Sequence, residues 1–391
     1  MFISPHLPPS SQREKIHIHW IETNNDNTII ITATNKGYRV YDTASYNLVS
    51  KVNDVQEFVI GDIEQASVLA NSSVVLFRGA KNNLSFPPNQ LVIWDDYLKR
   101  KKGLIMLKEN VVIFKVLKHL LFVTTVNKVL IFNLNSMKFI TKIDIVKATR
   151  HTIGFSYLNE TKEFIVAYIK KGKEKFVQLY RMKSQREKTK FYKRNHVIKT
   201  HFLEIKKFDF CINKQLIVIS SKNGNTLHFY DLITLTLKQC IFLGNGFFNT
   251  LFYLFDPYTK MLLIFFLNSV DKSKELFLYD FDDYISYKCS CSEREEEVGT
   301  KGDFLSMNGI FNRIDSESEI TNEKATFILD NKANKVFEPR MKEENELIYY
   351  SSDGMVNSVK FEIGKTGIIF NNNNVVQTTI DLNRNNSITN E

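Results

Sequence analysis

The residues that could hold a metal or act as nucleophiles are few and widely separated. His17 and His19 are two apart and could share a metal, but such a pair is more often an ordinary strand pair. Cys289 and Cys291 have no second Cys/His pair nearby to complete a zinc site. The sequence also lacks a glycine-rich phosphate loop and a nucleophile elbow. We therefore expect no catalytic residue, no metal and no cofactor.

Positive charge is concentrated in one segment. Residues 170–207 contain fourteen lysines and arginines against three glutamates, so the segment carries +11 while the whole chain carries +9. Three interpretations are open: solvated residues, contact with phosphate or an acidic membrane, and a nucleic-acid surface. The last is the least favoured, because Phe191 and Tyr192 are the segment's main aromatic pair and a stacking platform needs more. Nucleic acid is not an expected partner.

Composition favours a folded β protein. Hydrophobic residues make up 43% of the 391 residues and charged residues 24%, which excludes global disorder, and the 31 phenylalanines and 16 tyrosines favour strands. Four cysteines are too few for a disulfide framework. The apolar stretch 246–267 is interrupted by Asp256, Pro257 and Lys260, so it predicts two buried strands and a turn rather than a membrane span. The start of the chain does not resemble a secretory signal. We expect a soluble intracellular protein.

A short unit recurs seven times: apolar or β-branched residues, then an aromatic, then a polar residue. Its polar ends are Asp42, Asp95, Asn133, Arg181, Asp231, Asp280 and Glu362. Most intervals between them are near the 40–50 residues of a β-propeller blade. We predict an all-β, seven-bladed β-propeller over residues 1–370, in which each aromatic packs between blades and each polar residue begins a turn.

The long sixth interval predicts an insertion in the sixth blade at residues 282–323. Its eleven acidic and four basic residues give it a charge of −7. Within it, Phe304, Met307, Phe311 and Ile314 would lie on one helical face. The tail from 371 to 391 is rich in asparagine and is expected to be disordered.

Several segments have a distinctive composition and follow one another in a fixed order. They include Thr34-Asn-Lys-Gly-Tyr-Arg-Val-Tyr-Asp42, Phe86-Pro-Pro-Asn-Gln-Leu-Val-Ile-Trp-Asp-Asp96 and Ser220-Ser-Lys-Asn-Gly-Asn-Thr-Leu-His-Phe-Tyr-Asp231. In this order they resemble the PROPPIN family of WD-repeat-like propellers that bind phosphoinositides in autophagy. The resemblance covers most of residues 20–365. It implies a non-enzymatic peripheral membrane scaffold that recognises phosphatidylinositol 3-phosphate and 3,5-bisphosphate.

The family's lipid motif, Phe/Leu-Arg-Arg-Gly, is altered. Counting from Asp231, the chain has Phe242, Leu243 and Gly244 where the two arginines and the glycine are expected. Because an arginine–phosphate bond is charge-assisted and bidentate, its loss should weaken binding by orders of magnitude. The candidate lipid contacts that the resemblance leaves in the first pocket are His201, Ser221, Asn225 and His228. His201 and Ser221 could equally be retained fold scaffolding.

The resemblance also assigns the insertion to the place of the family's membrane loop. Its candidate membrane-inserting residues are Phe304, Leu305, Met307, Ile310, Phe311 and Ile314. The same face could instead dock on protein, and its acidic charge opposes an anionic surface. The partners implied are a phosphoinositide-containing membrane and autophagy-type proteins that bind the propeller loops. We expect a cytoplasmic monomer on phagophore assembly sites, endosomes or vacuoles; the alternative is a protein-interaction propeller that has lost lipid binding.

Overall fold

Short antiparallel strands form the whole of the regular structure. A computed structural model describes residues 16–24, 28–52, 54–55, 58–59, 61–69, 72–145, 148–149, 152–169, 176–185, 188–200, 205–211, 215–222, 226–242, 248–255, 261–268, 274–280, 327–328, 336–343, 346–351, 355–360, 362–364, 367–369 and 377–381. In these residues every regular element is a strand, as the abundance of β-branched and aromatic side chains predicts.

The first four blades are four-stranded antiparallel sheets whose strands follow one another in chain order. Their strands are β1 (Ile18–Thr23), β2 (Ile29–Thr34), β3 (Gly37–Asp42) and β4 (Leu48–Val52); β7 (Ile63–Val68), β8 (Val74–Gly79), β9 (Gln90–Asp95) and β10 (Arg100–Met106); β11 (Val111–Leu117), β12 (Leu120–Thr125), β13 (Lys128–Asn133) and β14 (Lys138–Asp144); and β15 (Ile153–Leu158), β16 (Glu163–Ile169), β17 (Phe176–Gln185) and β18 (Lys188–Lys199). A small hairpin of β5 (Asp54–Val55) and β6 (Phe58–Val59) lies between blades 1 and 2 in the sequence.

The remaining three blades have the same topology. Their strands are β19 (Ile205–Cys211), β20 (Leu216–Ser221), β21 (Thr226–Asp231) and β22 (Leu237–Phe242); β23 (Phe248–Phe255), β24 (Met261–Asn268), β25 (Lys274–Asp280) and β26 (Phe327–Ile328); and β27 (Val336–Glu343), β28 (Glu346–Ser351), β29 (Met355–Lys360) and β32 (Gln377–Asp381). A second small hairpin, β30 (Glu362–Gly364) with β31 (Gly367–Ile369), precedes the last strand. The part of the chain that the structure describes thus contains seven four-stranded sheets, which confirms the predicted seven blades.

The first strands of the blades close a ring. β1 contacts β7, and the contacts continue through β11, β15, β19 and β23 to β27, which returns to β1. Among the side chains that the structure describes, buried residues fill the spaces between successive blades from blade 1 to blade 5. The aromatic residues of the repeated units Tyr41, Trp94, Tyr180 and Tyr230 are buried, and Val356 of blade 7 packs with the apolar cluster of blade 1. In this part of the ring each blade covers an apolar face of the next, as the propeller architecture requires.

Polar contacts reinforce the packing of the first three blades. The side chain of Gln65 exchanges two hydrogen bonds with the backbone of Phe114, at 2.8 and 3.1 Å, and joins the first strands of blades 2 and 3. Lys115 Nζ lies 2.7 Å from Glu22 Oε1, between the first strands of blades 3 and 1. The Tyr38 hydroxyl donates to Asp96 at 2.6 Å across blades 1 and 2. Burial, followed by the nearby Asp96 charge, raises the pKa of Tyr38, so this hydroxyl remains a donor.

Four blades share one turn after the third strand. The polar residue that ends the strand accepts hydrogen bonds from the backbone N–H groups two and three positions later, as the sequence predicts for a turn-forming Asp or Asn. The polar residues are Asp42, Asp95, Asn133 and Asp231. Four positions after each of them the backbone is left-handed, at Tyr46, Lys99, Met137 and Leu235.

Blade 4 departs from this turn. Its unit ends in Arg181, which cannot accept a hydrogen bond from the following amides. The third strand therefore continues to Gln185, and β17 pairs with β18 from Phe176↔Lys199 to Gln185↔Lys188. Because β16 pairs with β17 only as far as Glu163↔Lys183, the end of this hairpin projects beyond the sheet.

The predicted sixth-blade insertion agrees with the structure, whereas the predicted disordered tail does not. The sixth blade has its long connection where predicted, between β25 and β26, so the insertion is in the sixth blade. The seventh blade extends further than predicted, because Gln377–Asp381 pairs with β29 as its fourth strand. Asparagine content suggested disorder from 371 onward, but the fourth strand is needed to cover β29, and Thr378, Thr379 and Ile380 are β-branched. The blade therefore includes part of the expected tail.

Most of the apolar stretch 246–267 lies in two strands. β23 and β24 pair antiparallel, which confirms the predicted pair of strands, whereas the predicted turn at residues 256–260 lies outside the described residues. Among the residues that the structure describes, no helix is long and apolar enough to cross a membrane.

Candidate functional site

Of the four candidate lipid residues, the structure describes Ser221 and His228, and both lie towards one edge of blade 5. The first strands of all blades begin at the same end of the toroid. We call this end the upper end and the opposite end the lower end. β20 ends and β21 begins at the upper end, so Ser221 and Thr226 lie there, with Ser221 opposite Ile205. Thr226 pairs with Phe242, the last residue of β22. The sheet register therefore brings the start of the altered lipid motif beside the Ser221 hairpin.

Ser221 has a structural contact at this edge. Its Oγ accepts the backbone N–H of Thr226 at 3.3 Å across the hairpin. A hydroxyl retains further donor and acceptor capacity when it accepts one such bond, so it could also contact a phosphate. His201, Asn225, Leu243 and Gly244, which the sequence assigns to the same pocket or motif, lie outside the described residues.

His228 lies two residues inside this edge and is buried, with 6% of its surface exposed. It is opposite Ile219 on β20 and Cys240 on β22. Its ring packs edge-on against Tyr230 at 6.2 Å, and Tyr230 belongs to the apolar cluster between blades 4 and 5. The imidazole is thus placed in the wall of the sheet, behind Ser221 and Thr226.

The upper edge of blade 5 has lysines but no arginine. The sequence from 205 to 242 contains none. Lys222 follows Ser221 and is exposed, and Lys206 is half-buried, where burial lowers its pKa. An ammonium acts as a point charge, whereas a guanidinium offers a planar fork that matches phosphate. This edge can therefore attract an anion but has lost the group that would hold it bidentately.

Two further predictions from the sequence concern the membrane-inserting residues and a possible metal site at His17 and His19. The six candidate membrane-inserting residues, Phe304 to Ile314, lie outside the described residues. His19 Nε2 lies 2.8 Å from Asp62 Oδ1, at the junction of blades 1 and 2. No group of three or more His, Cys, Asp or Glu side chains in the described part of the chain is arranged to hold a metal.

The basic segment occupies mainly blade 4. Much of it forms the β17–β18 hairpin, with Lys183, Arg194 and Lys199 exposed, and it continues into β19 of blade 5. Sequence reasoning counted Arg181 only as one of fourteen cations and as a polar end of a repeat. The signal that could have singled it out was an arginine at the position where five other repeated units have Asp or Asn.

Comparisons with known proteins identify the fold. No model of a protein family matches the chain. Among solved structures, Kluyveromyces lactis Hsv2 superposes with a TM-score of 0.64 at 14% identity, covering 94% of this chain and 98% of that one. A form of this Hsv2 with loop 6CD replaced by a Gly-Ser linker also has a TM-score of 0.64, at 13% identity, over 94% of this chain and 100% of that one.

A third similar structure is a complex. KlAtg21 with the coiled-coil of AgAtg16 matches with a TM-score of 0.64 at 11% identity, covering 93% of this chain and all of that one. Near-complete coverage on both sides means that these propellers and this chain have the same number and order of blades. The chain is a seven-bladed β-propeller. Its fold is that of the PROPPIN propellers Hsv2 and Atg21, which confirms the resemblance seen in the sequence at the level of the fold.

Proposed function

We propose that this protein is a non-enzymatic, PROPPIN-like peripheral membrane scaffold in autophagy and vacuolar or endosomal membrane traffic. The observation that carries the proposal is the match of nearly the whole chain to Hsv2 and Atg21. The long connection between the third and fourth strands of blade 6 supports it, because loop 6CD of Hsv2 is named for a sixth-blade connection of this kind. The expected location is cytoplasmic, on the membrane of the phagophore assembly site, endosome or vacuole.

Recognition of phosphatidylinositol 3-phosphate or 3,5-bisphosphate through the upper pocket should be weak. Ser221 and Thr226 lie at the upper edge of blade 5, beside Phe242, which stands where the resemblance expects the first arginine. A phosphate in this pocket would lack a bidentate cationic partner. Removing such a partner costs orders of magnitude in affinity.

Flotation with vesicles tests the proposal. The full chain is mixed with phosphatidylcholine vesicles that contain or lack phosphatidylinositol 3-phosphate, at low and moderate salt. Binding that requires the phosphorylated lipid and survives moderate salt supports the scaffold on membranes. Absence of binding to any anionic vesicle would contradict it.

The alternative function is a propeller that works only through protein partners. Its support is the Atg21 complex, in which a propeller of this fold binds a coiled-coil of Atg16. Under this alternative the chain captures protein partners in the absence of membranes, and vesicles of any composition leave it in solution. The same flotation experiment therefore separates the two functions.

A further inference from the structure

A cationic surface lies at the lower end of the same junction between blades 4 and 5. Val177, Leu179 and Ile198 of blade 4 pack with Phe208 and Tyr230 of blade 5 in an apolar cluster, which we call the blade 4–5 seam. Side chains alternate along a strand, so Arg181 is on the same face of β17 as Val177 and Leu179. This face therefore changes from apolar to cationic towards the lower end.

Two arginines are directly opposite each other on this face. Arg181 pairs with Arg194 on β18, and Leu179 pairs with His196. Like charges directly opposite in an antiparallel sheet are destabilising. Lys183 is on the same face and exposed, and Glu163 is the one carboxylate that the described sheet brings to this group. Within the described part of this sheet, three permanent cations thus face one carboxylate.

Arg181 is incompletely paired. Its Nη1 lies 3.4 Å from Glu163 Oε2, while 11% of the side chain is exposed. Its Nε and Nη2 are shielded from solvent and have no hydrogen-bond partner within the described structure. These two nitrogens form the edge of the guanidinium that grips a phosphate with two parallel bonds. A buried donor without a partner is costly, and an anion would remove that cost.

The pKa of His196 reflects the positive charge of this surface. Burial, then the charges of Arg181 and Arg194, lower the pKa of its imidazole, while Glu163 acts in the opposite direction. The imidazole is therefore kept neutral beside the two arginines. It can donate one hydrogen bond to a phosphate without adding repulsion between cations.

We propose that Arg181, Arg194 and Lys183, at the lower end of the blade 4–5 seam, bind the phosphorylated headgroup of a membrane lipid. Exposed Arg194 and Lys183 make the first contact, and a rotamer change presents the Nε/Nη2 edge of Arg181. This deepens the proposed membrane function and rests on it, because it places the phosphate contact away from the altered motif. The third strand of blade 6 also ends at the lower end, and the predicted insertion to which the resemblance assigns membrane contact follows it.

A charge-reversal pair tests the site. Lys183→Glu with Arg194→Glu removes neither Arg181 nor Glu163 and should weaken binding to vesicles containing phosphatidylinositol 3-phosphate at least about tenfold. The control, Lys138→Glu with Lys142→Glu, makes the same change in net charge at exposed positions of β14 in blade 3. It should change binding by less than about threefold, because exposed charges act weakly at moderate salt. Melting temperatures verify that all proteins are folded.

Equal affinity of wild type and the lower-end variant would overturn the site, as would an equal loss in both variants. A second measurement is calorimetry with short-chain phosphatidylinositol 3-phosphate, a soluble lipid that presents the headgroup without a membrane. If the wild type binds this headgroup and the Lys183→Glu, Arg194→Glu variant does not, the site is supported. This holds even if neither protein binds vesicles, a result that would contradict the membrane function alone. If vesicles bind both proteins alike, the function stands and the site fails.

The calorimetric arm also identifies the source of the phosphate. Inorganic phosphate that binds wild type as tightly as the lipid headgroup would show a general anion site and overturn the assignment to a lipid. A phosphoserine peptide that binds where the headgroup does not would assign the surface to a protein partner, which also contradicts the proposal. Binding of the headgroup in preference to both supports it.

Discussion

The two ends of the blade 4–5 seam differ in the groups that they offer to an anion. The upper end has Ser221 and Thr226 at the edge together with Lys206 and Lys222, but no arginine. The lower end has Arg181 opposite Arg194, with Lys183 beside them. Hydroxyls and ammonium groups can attract and orient a phosphate, but a guanidinium holds it with two charge-assisted bonds. The position that the resemblance assigns to lipid is therefore the poorer phosphate site of the two.

The same comparison explains why the lower end of blade 4 is available. In blade 5 the third strand ends at Asp231, whose carboxylate accepts N–H groups of Ile233 and Thr234 at 2.7 Å each. In blade 4 the corresponding residue is Arg181, and the strand continues into a longer hairpin. One change of residue type removes a turn, extends a surface and places a guanidinium on it.

The largest expected effect comes from removing the apolar cluster between the two ends. Phe208 is 2% exposed in this cluster. Phe208→Ala should lower the free energy of unfolding by about 3–5 kcal/mol, because it removes buried apolar surface and leaves a cavity. Urea denaturation measures this. A loss below about 1 kcal/mol would show that the blades do not depend on this packing.

Arginines placed at the upper end should make it a better phosphate site than it is in the wild-type protein. Phe242→Arg with Leu243→Arg should raise the affinity for short-chain phosphatidylinositol 3-phosphate by at least about tenfold, because each arginine adds a charge-assisted contact. Calorimetry measures this. Val126→Arg with Phe139→Arg, at exposed positions of blade 3, is the control of equal charge. An equal gain in both proteins would mean that the upper edge is not a pocket.

Much of this comparison could be predicted from the sequence. The seven units ending in polar residues gave the blades, because an Asp or Asn at a strand end specifies both the register and the turn. The arginine opposite Arg194 could not be predicted, because pairing across β17 and β18 depends on where the hairpin turns. The extent of blade 7 was also missed, since a strand that only covers a neighbour carries a weak local signal.

The next largest effect is the loss of stability expected when the turn of blade 5 is disrupted. Asp231→Ala removes the acceptor of two backbone N–H groups and should cost about 1–2 kcal/mol of unfolding free energy. Chemical denaturation of the two proteins measures it. Lys238→Ala, at an exposed position on the neighbouring strand β22, serves as the control and should change stability by less than about 0.5 kcal/mol. An Asp231→Ala protein as stable as wild type would remove the Asp-turn from the account of blade 4.

The pH dependence of stability follows from the same carboxylate. Burial alone would raise the pKa of Asp231, but the N–H groups of Thr234 and Ile233 outweigh it and lower the pKa below the ordinary 3.8. Its stabilising contribution is therefore complete above pH 3.8 and is lost as the pH falls through the lowered value. Asp231→Asn, which keeps an acceptor but does not titrate, should show a shallower loss of stability below about pH 4. An unchanged slope in acid denaturation would contradict this.

The smallest effect concerns the left-handed residue of the regular turn. Met137 has a φ of 52° and is 45% exposed. Met137→Gly should stabilise the protein by about 0.5–1 kcal/mol, because glycine has no Cβ to oppose this conformation. Met106→Gly, at an exposed position within β10, should destabilise it by a similar amount. Thermal melting compares the two, and a loss of stability in Met137→Gly would contradict the turn geometry.

Hydrogen exchange of the full chain with and without the soluble headgroup of short-chain phosphatidylinositol 3-phosphate tests the central claim most directly. Mass spectrometry resolves peptides from β17–β18 and from the β20–β21 hairpin in one experiment. We expect the headgroup to slow exchange in residues 181–196 and to leave residues 221–228 unchanged. Protection of 221–228 without any change in 181–196 would place the phosphate at the upper end and contradict the account.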